Sequence, residues 1–186
     1  MPHFNPPHIA VALLIALLLA PLVACDHPGV SSEPWLFSHE QAHYEVLFSS
    51  DWVAESPDEI NPFADLAASQ EDRKFFLVIT QELPDYPSPT LRDLEDLALG
   101  NLRESVDTLD IQRRGPLSLD GVSGSTIFAT GELDDDEISY ITSYAIYEGM
   151  GYQLIAFSEP EHQQALFDEV DILLSDWQFL PVEADE

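Results

Sequence analysis

Five consecutive residues in this chain have the types and spacing of a zinc site. His39-Glu40-Gln41-Ala42-His43 matches H-E-x-x-H. On a helix, two histidines four residues apart face one way and bind zinc through neutral imidazoles. The glutamate between them then takes a proton from zinc-bound water, which is hydrolase chemistry. The flanking sequence argues for another role. A strand-like alternation starts at Tyr44, so no helix surrounds the motif, and Glu45 places a charge where such helices carry an apolar residue. The next histidine, His162, has Glu159 and Glu161 nearby but no third-ligand motif. The expected role is therefore a solvated lead-in to the first strand. A zinc-dependent hydrolase, with His39 and His43 as ligands and Glu40 as general base, stands as the alternative. No other catalytic pattern competes: there is no G-x-S-x-G elbow and no Gly-rich phosphate loop. The sequence thus points to no enzyme and no cofactor.

The remaining reactive group is the single cysteine, Cys25. It follows Leu22-Val23-Ala24 and an apolar run from Ile9 to Ala20. That run is short for a membrane span, which needs about 20 apolar residues, and Pro21 would break a spanning helix. A secretory signal with a small residue at the cut fits better. Met1 to His8 holds no Lys or Arg, so positive charge before the run rests on the amino terminus, His3 and His8. Leu-Val-Ala-Cys resembles the lipobox of bacterial lipoproteins. The resemblance implies cleavage before Cys25, a diacylglyceryl group on its thiol, and palmitate or a similar acyl chain on its freed amine. Two or more chains hold a protein stably on a bilayer, whereas one does so only marginally. Residues 1–24 are then signal peptide, and residues 25–37, with Pro28, Gly29, Ser31, Ser32 and Pro34, a flexible tether. The implied place is the cell envelope, on the periplasmic face of the inner or outer membrane in a Gram-negative cell.

Charge narrows the partners. The formal net charge is −29, from 35 acidic and 6 basic residues, and none of those charges precedes Asp26. All six basic residues lie between Arg73 and Arg114. Such a field repels nucleic acid, whose binding depends on Lys and Arg meeting phosphates. It also repels anionic lipid headgroups, so membrane contact falls to the lipid on Cys25. Asp134-Asp135-Asp136-Glu137, the densest acidic cluster, reads as a solvated turn and lacks the glycine of a calcium loop.

The rest of the chain reads as one domain, residues 38–181, with an acidic tail at 182–186. Tyr44 to Phe48 alternates as a strand, and Phe75 to Leu83 is apolar on both faces, as a doubly covered strand must be. Residues 58–72 are ambiguous between a short strand and a helical turn. A helix starts near Ser88-Pro89-Thr90, capped either by Ser88 with Pro89 at the first helical position or by Thr90 with Asp93 three residues on, and Leu91, Leu94, Ala98, Leu102 and Ser105 share one face. Strands follow from Leu109 to Leu119, Val122 to Leu133, Ile138 to Tyr147 and Tyr152 to Phe157. Turns are expected at Asp120-Gly121 and Gly149-Met150-Gly151. A second helix opens at Glu159-Pro160-Glu161, with Leu166, Val170, Leu173, Leu174 and Trp177 on its face, and Trp177 to Leu180 is a candidate closing strand. Ser123-Gly124-Ser125 reads as packing. Tyr140, Tyr144, Tyr147 and Tyr152 read mainly as core, any exposed ones being a candidate binding patch. Strands apolar on both faces need cover on each, and one helix per face supplies it. The fold class is α+β, an α/β/α sandwich about a largely antiparallel sheet.

Tyr44-Glu45-Val46-Leu47-Phe48 followed by Trp52 resembles the opening strand and turn tryptophan of the PsbP-like fold, with Ser49 where that family has proline. The fold is shared by photosystem-associated PsbP proteins and bacterial DcrB-like lipoproteins. The resemblance continues through Phe75 to Leu83, Leu119-Asp120-Gly121-Val122-Ser123-Gly124 and Ser175-Asp176-Trp177-Gln178-Phe179. It implies a non-catalytic accessory or binding module, with an unidentified envelope protein as partner, and carries no shared catalytic residues. A solvating surface lipoprotein without a defined partner is the third reading.

A charge of −29 makes the compact state repel itself. Raising ionic strength from 0.1 M to 1 M shortens the Debye length from about 10 Å to about 3 Å. The melting temperature should therefore rise with sodium chloride in differential scanning calorimetry. A flat or falling trend would remove repulsion as a significant term.

Overall fold

Strand alternation disappears between Ile138 and Ala145, where all eight residues are buried. Such a segment has to lie inside a sheet that is covered on both faces. The computed structural model, which describes residues 33–70, 73–85, 88–133 and 136–182, places it there. Seven strands form the main sheet. In chain order they are β3 (Val53–Glu55), β4 (Leu66–Gln70), β5 (Lys74–Glu82), β6 (Thr108–Leu119), β7 (Val122–Leu133), β8 (Asp136–Tyr147) and β9 (Met150–Ser158). Their spatial order is β3-β4-β5-β9-β8-β7-β6, and every pairing is antiparallel.

One face is covered by helix α2 (Leu91–Ser105). Thr90 caps it in a reciprocal box with Asp93, and this bonding holds the Asp93 carboxyl below its ordinary range. Leu94, Ala98 and Leu99 pack against Ile127 and Tyr144, while Leu102 and Val106 meet Ala129, Ile138 and Tyr140. Arg114 of β6 pairs with Glu95, which is nearly buried, and ties the helix to the sheet edge.

The opposite face carries more than the one helix expected. Helix α3 (Gln163–Ser175), entered through a 3₁₀ turn at Pro160–His162, sets Leu166, Val170 and Leu173 on it. Beside α3 lies a second sheet of β1 (Trp35–His39), β2 (Tyr44–Phe48) and β10 (Trp177–Phe179), in the order β1-β2-β10. The opening and closing strands therefore pair with each other rather than extending the main sheet. Tyr44 stacks on Trp177 at 4.5 Å, and Tyr152 of β9 meets both rings edge-on. Tyr152 donates its hydroxyl to the Ala42 carbonyl at 2.6 Å.

Several expectations need correction. The tether does not reach Phe37, nor does the domain start at residue 38. Strand β1 begins at Trp35, which stacks on Phe48 at 4.2 Å and donates its indole N–H to the Trp52 carbonyl. Trp35 and Phe37 alternate with exposed Leu36 and Ser38, a strand signal hidden behind the Pro- and Ser-rich residues before it. Trp177 belongs to β10, not to the helix face. The ambiguous stretch resolves into a one-turn helix, α1 (Pro57–Ile60), and β4. The β8–β9 turn is Glu148-Gly149, both with positive φ, one residue earlier than expected. Strand β6 is continuous, and a bulge between Ile111 and Arg113 switches which side chains face α2. Residues 1–32, including Cys25, lie outside the described residues, as do Asp134, Asp135 and the tail from residue 183.

Burial raises the hydroxyl pKa of Tyr44, Tyr140, Tyr144 and Tyr152 above the ordinary 10.0, Tyr140 to about 12. Desolvation is the largest cause in each, and the negative charge of Asp65 adds to it at Tyr44. The folded state holds these groups neutral. Their contribution is complete below pH 10 and is lost as pH rises through the folded values. Tyrosinate absorbance from these four of the six tyrosines should therefore appear together with loss of near-ultraviolet dichroism, from about pH 12 upward. Ionisation of all four near pH 10 with the fold intact would contradict this burial.

Candidate functional site

The H-E-x-x-H residues sit on a hairpin, not a helix. His39 ends β1, and residues 40–43 turn the chain into β2. The turn closes with the His43 N–H donating to the Glu40 carbonyl at 3.2 Å, and His43 takes φ +53°. The Ala42 N–H donates to His39 Nδ1 at 3.0 Å, which uses the lone pair a metal would need. His39 Nε2 faces Asp65 Oδ1 at 3.9 Å, and its ring lies parallel to that of Tyr44. Asp65 is held by the backbone N–H and hydroxyl of Thr80, at 2.8 and 2.7 Å. His39 is thus a brace between the hairpin and the main sheet. The lead-in expected before the first strand is itself strand and turn.

The three residues that do converge were noted in the sequence only as neighbours. Among the described residues, Glu159, Glu161 and His162 form the only group of three whose ligand atoms gather as a metal would require, within 4.8 Å of one another. Arg73 Nη1 lies 3.2 Å from His162 Nε2, and Glu161 Oε1 lies 3.3 Å from the same nitrogen. A resident guanidinium at the imidazole nitrogen opposes a metal ion on that nitrogen.

A broad concavity lies where cover of the α3 face stops. The small sheet and α3 overlie β4, β5 and β9, leaving a groove of about 710 Å³ between α3 and the β6–β7 edge. Its apolar lining includes Leu117, Phe128, Phe167 and Leu174. Arg113 lies over the Phe128 ring at 3.9 Å, and Phe167 meets that ring edge-on at 5.0 Å. Asp168 and Asp171 border the helical side. The β6 bulge matters here, because it turns Arg113 and Leu117 onto this face while Leu109 and Ile111 stay on the α2 face. Apolar contact combined with polar groups that fix orientation is what ligand and partner grooves have in common. Periodicity alone did not foretell the groove, since it depends on where a helix stops.

The remaining candidates are structural. Gly124 lies in β7, where an added Cβ would run into the Tyr144 carbonyl, so close strand approach requires glycine. Tyr140, Tyr144 and Tyr152 are buried and form no binding patch; only Tyr147 of the four is partly exposed.

No protein-family model matches the sequence, and no curated protein matches it. Solved structures do. The cyanobacterial PsbP protein CyanoP from Synechocystis is similar with a TM-score of 0.63 at 17% identity, over 86% of this chain and 99% of that one. LpqN of Mycobacterium tuberculosis, described as involved in cell envelope biogenesis, aligns at 0.58 and 14% identity, over 84% and 87%. The Saccharomyces cerevisiae Ran-binding protein Mog1p aligns at 0.59 and 8% identity, over 80% and 96%. The domain has the PsbP-like α+β fold.

Position 43 offers a direct test of the hairpin. A left-handed residue favours glycine and penalises a β-branched side chain. His43→Gly should leave stability within about 1 kcal/mol of the original or raise it, whereas His43→Val should cost about 1–2 kcal/mol. Urea denaturation measures both. Equal destabilisation by the two, with loss of bound zinc on elemental analysis, would restore the zinc reading.

Proposed function

We propose that this chain is a non-catalytic accessory protein of the cell envelope, anchored by lipid on Cys25, that binds another envelope protein through the groove between α3 and β6–β7. The observation that carries the reading is the groove itself. Its wall is polar and apolar in about equal measure: Leu117, Phe128, Phe167 and Leu174 supply apolar and aromatic contact, and Arg113, Asp168 and Asp171 are its ionisable residues. Aromatic contact bordered by a few charges favours recognition of a partner surface. The likeness in fold to CyanoP and LpqN supports the choice of class. Among the described residues no helix is long and apolar enough to cross a membrane. Attachment then rests on Leu22-Val23-Ala24-Cys25, and the net charge of −29 keeps the domain surface off anionic headgroups.

Two measurements test the two halves of this reading. Cys25→Ser should yield a chain that no longer partitions into membranes, and mass spectrometry of the native N-terminal peptide should find diacylglyceryl on Cys25. An unmodified chain starting elsewhere would remove the anchor. For the groove, a photo-crosslinking residue at Gln164, which lines it, should capture one envelope protein. The same residue at Gln178, exposed on the small sheet, should not. Phe167→Ala should weaken that capture by about tenfold, as truncation of an aromatic anchor does. Capture unaffected by Phe167→Ala would move the binding surface elsewhere.

A further inference from the structure

A second concavity lies at the far end of the α2 face, away from the groove. Phe75 of β5 and Phe157 of β9 are cross-strand partners whose rings stack at 4.9 Å and 12°. With Ile138 they form the apolar floor of a cleft of about 580 Å³. Its rim is made by two chain segments that meet only in the folded state. Asp136 and Glu137 open β8, and Glu159 and Glu161 flank the entry to α3. All four acids are exposed. The rim's basic residue is Arg73, which turns one guanidinium nitrogen to His162.

This pairing of an aromatic floor with four carboxylates has a definite complement. A guanidinium or ammonium group is attracted both to carboxylates and to the face of an aromatic ring, and its alkyl stem lies well on apolar surface. An anionic or purely aliphatic ligand would bring its own charge or leave the rim unpaired. Phe75 remains partly exposed, so a ring stays accessible from the cleft. Arg73 then acts as the resident cation that any incoming one must outcompete.

We propose that this cleft is a docking site for an arginine- or lysine-bearing extended segment of a partner protein, with one basic side chain laid over Phe75 and held between the Asp136–Glu137 and Glu159–Glu161 pairs. The site is separate from the α3 groove and stands whether or not the groove binds anything.

The test uses the full-length chain and a fluorescent hexapeptide alternating arginine with leucine, read by anisotropy at 0.15 M salt. The same peptide with citrulline in place of arginine is the neutral control. Because the whole molecule is acidic, the variants must separate a site from a field. Glu159→Gln with Glu161→Gln should weaken the arginine peptide about tenfold, and Phe75→Leu, which keeps apolar area but loses the ring, about threefold. Arg73→Gln should tighten it about threefold by removing the resident cation. Glu45→Gln with Asp51→Asn removes the same charge near the hairpin and should change binding less than about twofold. The proposal is overturned if the two double variants weaken binding equally, if the citrulline peptide binds as well, or if spermidine competes as effectively as the peptide, which would make the cleft a site for free organic cations. Nuclear magnetic resonance of the unaltered protein gives an independent readout. Bound peptide should shift the ring signals of Phe75 and Phe157, and shifts confined to other residues would also overturn the assignment.

Discussion

Everything in this domain follows from a sheet that is apolar on both sides. β8 buries eight residues in succession, Ile138, Tyr140, Ile141, Tyr144 and Ala145 among them with three small polar residues between, and Phe76 and Leu77 of β5 are buried side by side on opposite faces. Burying side chains of this size is worth about 1.5–3 kcal/mol each, so neither face tolerates water. The chain has few elements with which to cover them. One fifteen-residue helix serves one face. One thirteen-residue helix and three short strands serve the other. Neither cover extends over the whole sheet, and the concavities lie where they stop.

The cover on the α3 face is also what joins the ends of the domain. β2 comes from its first sixteen described residues and β10 from its last few, and they pair directly, Tyr44 opposite Phe179 and Val46 opposite Trp177. The Leu180 N–H donates to the His43 carbonyl at 2.8 Å, and Tyr44, Trp177 and Tyr152 pack ring against ring beneath. The hairpin that carries the histidines is therefore a structural joint. A metallopeptidase motif needs its two imidazoles on one helical face. Here a left-handed residue and a backbone hydrogen bond to Nδ1 use the same residues to turn a strand. The sequence match is therefore not accompanied by the helical geometry that gives the motif its chemistry.

Acidity acts differently at the two concavities. At the α3 groove, Asp168 and Asp171 lie along one side and Arg113, already over Phe128, lies toward the other. At the cleft by Phe75 and Phe157, four carboxylates meet one arginine. The net charge of −29 describes neither, since a contact is decided by local arrangement rather than by the total.

Local pattern determined much of what is seen. The capping box at Thr90 and Asp93, the Asp120-Gly121 turn, the long meander of β7 to β9 and both main helices were legible, because each depends on residues near one another in sequence. The α+β class followed from doubly apolar strands that demand helices. The proposed lipid anchor, too, rests on sequence alone, since Cys25 lies outside the described residues. Tertiary structure alone decided the rest. That the first and last strands form a separate sheet depends on Tyr44 finding Trp177, 133 positions away. The bulge after Ile111 decides which residues of β6 reach the groove, and a single inserted residue leaves little trace in periodicity. Both concavities are made by residues from four or more elements, so no window of sequence contains them. Local spacing reveals which face a residue takes, whereas a site exists only where separate faces end beside one another.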